Sequence, residues 1–178
     1  MVMGIPSFLL WTGLFLGVGP LCAAMPRGTG VAPPDRQLDF WFGDWEVHDQ
    51  ATGELTGRSH IEPVLHGAAV VMDWRDPDGT ETREWFYYHR TEGRWKQVVV
   101  NEHGQAKTRV QAGSREDGTL CFRGIIPLRD GGEVIDESTV SACPDGRVHQ
   151  VIRQSRDHGG TWQTVFDACY VRPAVAAR

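Results

Sequence analysis

The stretch Asp39-Phe40-Trp41-Phe42-Gly43-Asp44-Trp45-Glu46-Val47 limits the possible folds more than any other, because it sets four aromatics in six residues at the head of an alternating run. Gly43 lets the backbone turn tightly, and the indole of Trp45 two residues later can plug one end of a β-barrel. At the other end of the chain, Phe166-Asp167-Ala168-Cys169-Tyr170-Val171-Arg172 closes a last alternating segment in Tyr-x-Arg. Between the two lie short alternating segments separated by turn signals. No 3.6-residue periodicity persists long enough for a helix of several turns.

The turn signals predict about ten strands, a count usual for small antiparallel barrels. They cover 43–50, 54–65, 68–75, 80–90, 94–101, 105–112, 119–126, 133–143, 147–155 and 161–172. Connections such as Asp76-Pro77-Asp78-Gly79 and Pro144-Asp145-Gly146 are too short for a parallel crossover, so neighbours must be antiparallel and the topology a meander. A meander this long closes on itself or leaves long unpaired edges. The expected fold class is therefore all-β, a single up-and-down antiparallel barrel. A short helical turn at Asp35 to Phe42, started by Pro34 and Asp35, would cap its bottom.

Residues 5–24 are apolar and uncharged and end in Cys22-Ala23-Ala24, a small-x-small site, which reads as a signal peptide over 1–24. An uncleaved anchor is the alternative, since the stretch approaches the length of a membrane span. A flexible lead-in over 25–36, the barrel over 37–173 and a tail over 174–178 complete the predicted organisation. The expected location is extracytoplasmic, periplasmic or secreted. A net charge of −5 and a pI near 5.8 argue against nucleic acid, and against any membrane contact beyond the N-terminal segment. Export would leave Cys121, Cys143 and Cys169 in an oxidising compartment, but the register predicts that no two of them lie within bridging distance.

Strand alternation offers two faces per strand. On 94–101 the face of Trp95, Gln97, Val99 and Asn101 is predicted to point inward, because Lys96 sends the other set out. On 80–90 alternation leaves two competing inner faces, Glu84, Phe86 and Tyr88 or Trp85 and Tyr87.

These residues carry a resemblance to a bacterial, exported, lipocalin-like (calycin-type) family of unknown function. Its members begin near Asp-Phe-Trp-x-Gly-x-Trp and end in a Tyr-x-Arg strand. The match spans Leu38 to Val47, Arg58-Ser59-His60-Ile61-Glu62, Arg94-Trp95-x-Gln97, Asp145-Gly146-Arg147-Val148-x-Gln150, 154–162 and 166–172. The resemblance implies that Arg172 covers Trp45, so that Gly43, Trp45, Tyr170 and Arg172 close the barrel. It also implies a lumen lined by Ser59, Met72, Glu84, Phe86, Tyr88, Gln97, Val99, Asn101, Gln150 and Ile152. Several of these positions carry smaller or more apolar side chains than the family tends to have; Val99 and Ile152, for example, stand where it tends to have Trp. A roomier, more apolar cavity is expected.

The seven His residues include no His-x-His or His-x-x-x-His pair, so neither metal nor haem is expected, and the cofactor expectation is none. Gly-x-Ser-x-Gly and Cys-x-x-Cys are absent. For acid–base work the candidates are Glu62 and Glu84, carboxyls that could enter an apolar lumen; the competing expectation pairs them with Arg58, Arg83 or Arg123. The expected function is an exported barrel binding a small apolar molecule. Alternatives are a cofactor-free cyclase or isomerase, and a structural or adaptor domain without ligand.

Overall fold

The computed structural model describes residues 34–128 and 130–174. The predicted signal segment, the lead-in up to residue 33 and the tail from residue 175 lie outside the described residues.

Ten strands form one closed antiparallel sheet in which each pairs with its sequence neighbours and the first pairs with the last. They are β1 (Gly43–Asp49), β2 (Leu55–Val64), β3 (Ala69–Arg75), β4 (Glu81–His89), β5 (Arg94–Asn101), β6 (Ala106–Ser114), β7 (Leu120–Pro127), β8 (Glu133–Ala142), β9 (Val148–Ser155) and β10 (Gln163–Val171). Closure sets Glu46 opposite Val171 and Val47 opposite Tyr170, which removes both sheet edges. The predicted barrel and its strand count hold, with β5 matching to the residue. The expected helical turn appears as two short 3₁₀ turns, Pro34–Arg36 and Asp39–Trp41.

Those turns seal one end. Leu38 and Trp41 are buried, and Trp41 meets Phe86 and Tyr170 edge-on at 5.9 and 5.3 Å between ring centroids. The Trp45 indole N–H donates to the Trp41 carbonyl at 2.8 Å, and that of Trp95 donates to the Pro34 carbonyl at 2.8 Å. Beneath this plug, the Arg172 guanidinium carbon lies 3.7 Å from the centre of the Trp45 ring, and its Nη2 donates to the Phe42 carbonyl at 2.8 Å. Gly43 makes room for it. With φ +114°, a Cβ there would lie 2.1 Å from Arg172 Nη1, so no other residue fits without moving the cation.

Cys121, Cys143 and Cys169 are free thiols, and for Cys143 and Cys169 the register shows why. Cys169 lies opposite His149, one residue from the Val148 that turn counting suggests, and His149 lies opposite Ser141. Cys143, just past β8, is therefore two strands away, about 10 Å at ordinary strand spacing and beyond bridging.

On the outer wall Glu137 is buried under Arg123 and Arg153, each donating twice to its carboxylate, and Arg153 stacks 4.5 Å from the Trp162 ring centre. The β9–β10 turn is held by Asp157, which accepts from the Thr161 backbone N–H and from the hydroxyls of Ser155 and Thr161. The Thr161 amide first, then the hydroxyls, stabilise the ionised form and hold this carboxyl at about 2. A depressed folded value means that the contribution is complete above the ordinary Asp value of 3.8 and fades as pH falls through about 2. A carboxyl NMR titration is expected to place Asp157 below the solvated aspartates, and Asp157→Asn should flatten the acid limb of stability over that window.

Candidate functional site

Opposite the plug the barrel opens into a recess of about 700 Å³. Alternation on three adjacent strands builds its floor: Glu84 on β4 lies opposite Val99 on β5, which lies opposite Lys107 on β6. Three inward side chains thus form one row, with the short Val99 between two long ionisable ones. The upper walls are apolar, from Trp74, Ile126, Ile152 and Phe166, and Asn101, Gln150 and Tyr170 also reach the recess. Trp74 meets Phe166 edge-on at 6.0 Å, and its indole N–H donates to Asp76 at 2.9 Å.

Below the floor runs a buried polar network. Gln97 joins Glu84 to Arg109: its amide N donates to Glu84 Oε2, and its amide O accepts from Arg109 Nη1 at 3.0 Å. Arg109 Nε donates to Asp136 Oδ1, and Gln154 donates to Asp136 Oδ2 at 2.9 Å. Arg109 and Asp136 have no exposed side-chain surface, a burial charged groups tolerate only when paired. Arg109 Nη2 lies at ion-pair range of Asp136 but off the hydrogen-bond line, so it has no acceptor of its own. A second branch starts at Tyr170, whose hydroxyl donates to Gln150 at 2.6 Å, and Gln150 donates to Ser138 at 3.1 Å. Burial, with Glu84 adding to it, pushes the Tyr170 hydroxyl pKa well up and keeps it a neutral donor. Lys107 Nζ stands 3.8 Å from Asp136 Oδ2, and burial followed by the Arg109 charge lowers its pKa, against the opposing pull of Asp136 and Glu84.

No protein-family model matches the chain, and no curated protein does. The site therefore has to be read from its own chemistry.

Of the residues expected to line the lumen, Glu84, Val99, Asn101, Gln150 and Ile152 border the recess. Met72 and Phe86 face inward but belong to the packed core near the plug, and Tyr88 lies against Trp95 at 5.7 Å between rings. Gln97 sits under the floor. Ser59 is buried in register between Trp45 and Trp74, and its hydroxyl has no partner. Glu62 is a correction: Ile61 takes the inward position, so Glu62 faces solvent, 3.7 Å from His60. The expected Arg partners are not the ones found, since Glu84 pairs with Gln97. The sequence reading also missed Lys107, Arg109, Asp136, Ser138 and Gln154, so the recess is apolar in its walls and polar at its floor.

A second concavity, of about 790 Å³, spans the outer face of β1 to β5. Its ionic groups are already matched: His60 lies 2.7 Å from Asp44, and Arg83 pairs with Asp73 at 2.5 Å. The Asp44 hydrogen bond raises the His60 pKa. Among the described residues no group of three His, Cys, Asp or Glu side chains could hold a metal ion.

Proposed function

We propose that this chain is an exported small-molecule-binding barrel of the lipocalin-like type. Its ligand has an apolar body lying along Trp74, Ile126, Ile152 and Phe166, and a polar group reaching the floor at Glu84, Lys107 and Gln150. The observation that carries this reading is the recess of about 700 Å³, a size suited to a small molecule, over a fixed polar network. The network matters because it is tied together from beneath: a ligand's polar group would meet donors and acceptors already oriented, at little ordering cost. Export rests on the N-terminal segment, and Edman sequencing of the mature protein from its host should begin after Ala24. Family membership rests on the motif resemblance, to which the Trp45 and Arg172 stack adds support.

Native mass spectrometry of protein purified from its own host is the direct test, and a co-purifying small-molecule mass is the expected result. A probe makes the site itself testable. Octan-1-ol should quench or shift the emission of Trp74, and Val99→Trp, which fills the gap between Glu84 and Lys107, should weaken its binding by at least about tenfold through steric loss of the pocket. Unchanged octan-1-ol affinity in a folded Val99→Trp variant would place the ligand elsewhere.

A further inference from the structure

We infer that the recess captures an apolar aldehyde or ketone through a reversible imine on Lys107 Nζ. This rests on the reading of the recess as the binding site and names its ligand class.

Of the 18 Lys and Arg residues in the sequence, only Lys96 and Lys107 are lysine. Lys96 lies on the outer face, paired with Glu92. Among the described residues Lys107 is the one amine inside the barrel, about a quarter exposed and opening on the recess. In a chain whose cations are otherwise all Arg but for the outward Lys96, the lumenal position holds a cationic side chain able to give up its proton and act as a nucleophile. Its surroundings favour that form. The 3.8 Å separation from Asp136 is too long for a hydrogen bond, and that carboxylate is already bonded by Arg109 and Gln154. Burial and the neighbouring Arg109 disfavour the ammonium. An anionic head group would meet Glu84, whereas a neutral carbonyl meets no such repulsion.

The step balances without any redox partner. The Nζ lone pair adds to the carbonyl carbon, the C=O π pair moves to oxygen, and that oxygen takes the proton nitrogen sheds, giving a carbinolamine. A second proton makes that hydroxyl water, the nitrogen lone pair expels it as C=N forms, and the nitrogen gives up its remaining proton to replace the one spent. Amine plus carbonyl gives imine plus water, and hydrolysis reverses it. Glu84, in the same row across Val99, is placed to carry the proton to the departing oxygen and to balance a protonated imine.

The test uses the purified protein with octanal and sodium cyanoborohydride at pH 7, read by intact mass and peptide mapping. The expected result is a single early octyl adduct at Lys107, formed at least roughly tenfold faster than that at Lys96, because binding raises the local aldehyde concentration. Excess octan-1-ol should suppress it. Lys107→Arg, which keeps the charge, should abolish it, while Lys96→Arg should not. Labelling of Lys107 no faster than Lys96 overturns the inference. If octan-1-ol still binds in that case, the recess remains the site and only the imine chemistry fails; if it does not bind, the recess reading fails with it. The comparison of the two lysines needs no variant, so a poorly folding Lys107→Arg protein leaves the test intact.

Discussion

Asp136→Ala is expected to cost about 3–5 kcal/mol in urea titrations, because removing one member of a buried ion pair strands the other in a low-dielectric interior. Arg109 would then keep only its bond to Gln97, with no surface exposure to let water replace the lost carboxylate. Gln154 would lose its acceptor as well. The pair's net contribution is a different quantity. Replacing both partners with apolar residues, Arg109→Met with Asp136→Leu, removes the stranded charge, and the double variant should recover at least about half of the loss. A single-variant loss below about 1 kcal/mol, within the range of ordinary substitutions, would mean that water reaches Arg109 and that the floor is not dry.

Gly43→Ala carries the second large expected effect, about 2–4 kcal/mol, from two causes that act together. The backbone stands at φ +114°, where a Cβ is strained, and the new methyl would sit on Arg172 Nη1. Because that nitrogen ends a flexible side chain, the cation would move, losing its stack on Trp45 and its bond to Phe42. Arg172→Ala alone should cost about 2 kcal/mol, discounted for an exposed guanidinium. Arg172→Lys should recover only part, since an ammonium neither stacks nor forks in the same way. In the double variant the methyl has nothing left to displace. Its loss should fall short of the sum by about 1 kcal/mol, and strict additivity would show that Gly43 is fixed by its backbone alone.

The fold was legible because its signals are local. Turn chemistry such as Pro144-Asp145-Gly146 fixes where strands stop, and β5 follows from alternation anchored by Lys96. The same rule that placed β5 hid the floor of the site. On β6, Lys107, Arg109 and Gln111 turn inward while Val110 is left outside, inverting the usual assignment of polar residues to solvent. What makes that inversion tolerable is Asp136, 27 residues further on, and no pattern within one strand reveals a partner so distant. Glu62 failed for the opposite reason, since a carboxylate on a β2 face next to Ile61 follows the ordinary rule and belongs outside. The closing contact between Trp45 and Arg172 was foreseeable only through resemblance.

The plugged end has a geometric consequence for access. Pro34 reaches the Trp95 indole there, and Arg172 leaves β10 beside Gly43, so both described ends of the chain depart from the same pole of the barrel. The turns that ring the recess, among them those around Asp76, Gln105 and Leu128, lie at the other pole. A tether at either end would join the barrel at its closed pole and leave the mouth unobstructed. Ligand exchange would then proceed as freely on an immobilised molecule as on one diffusing in solution.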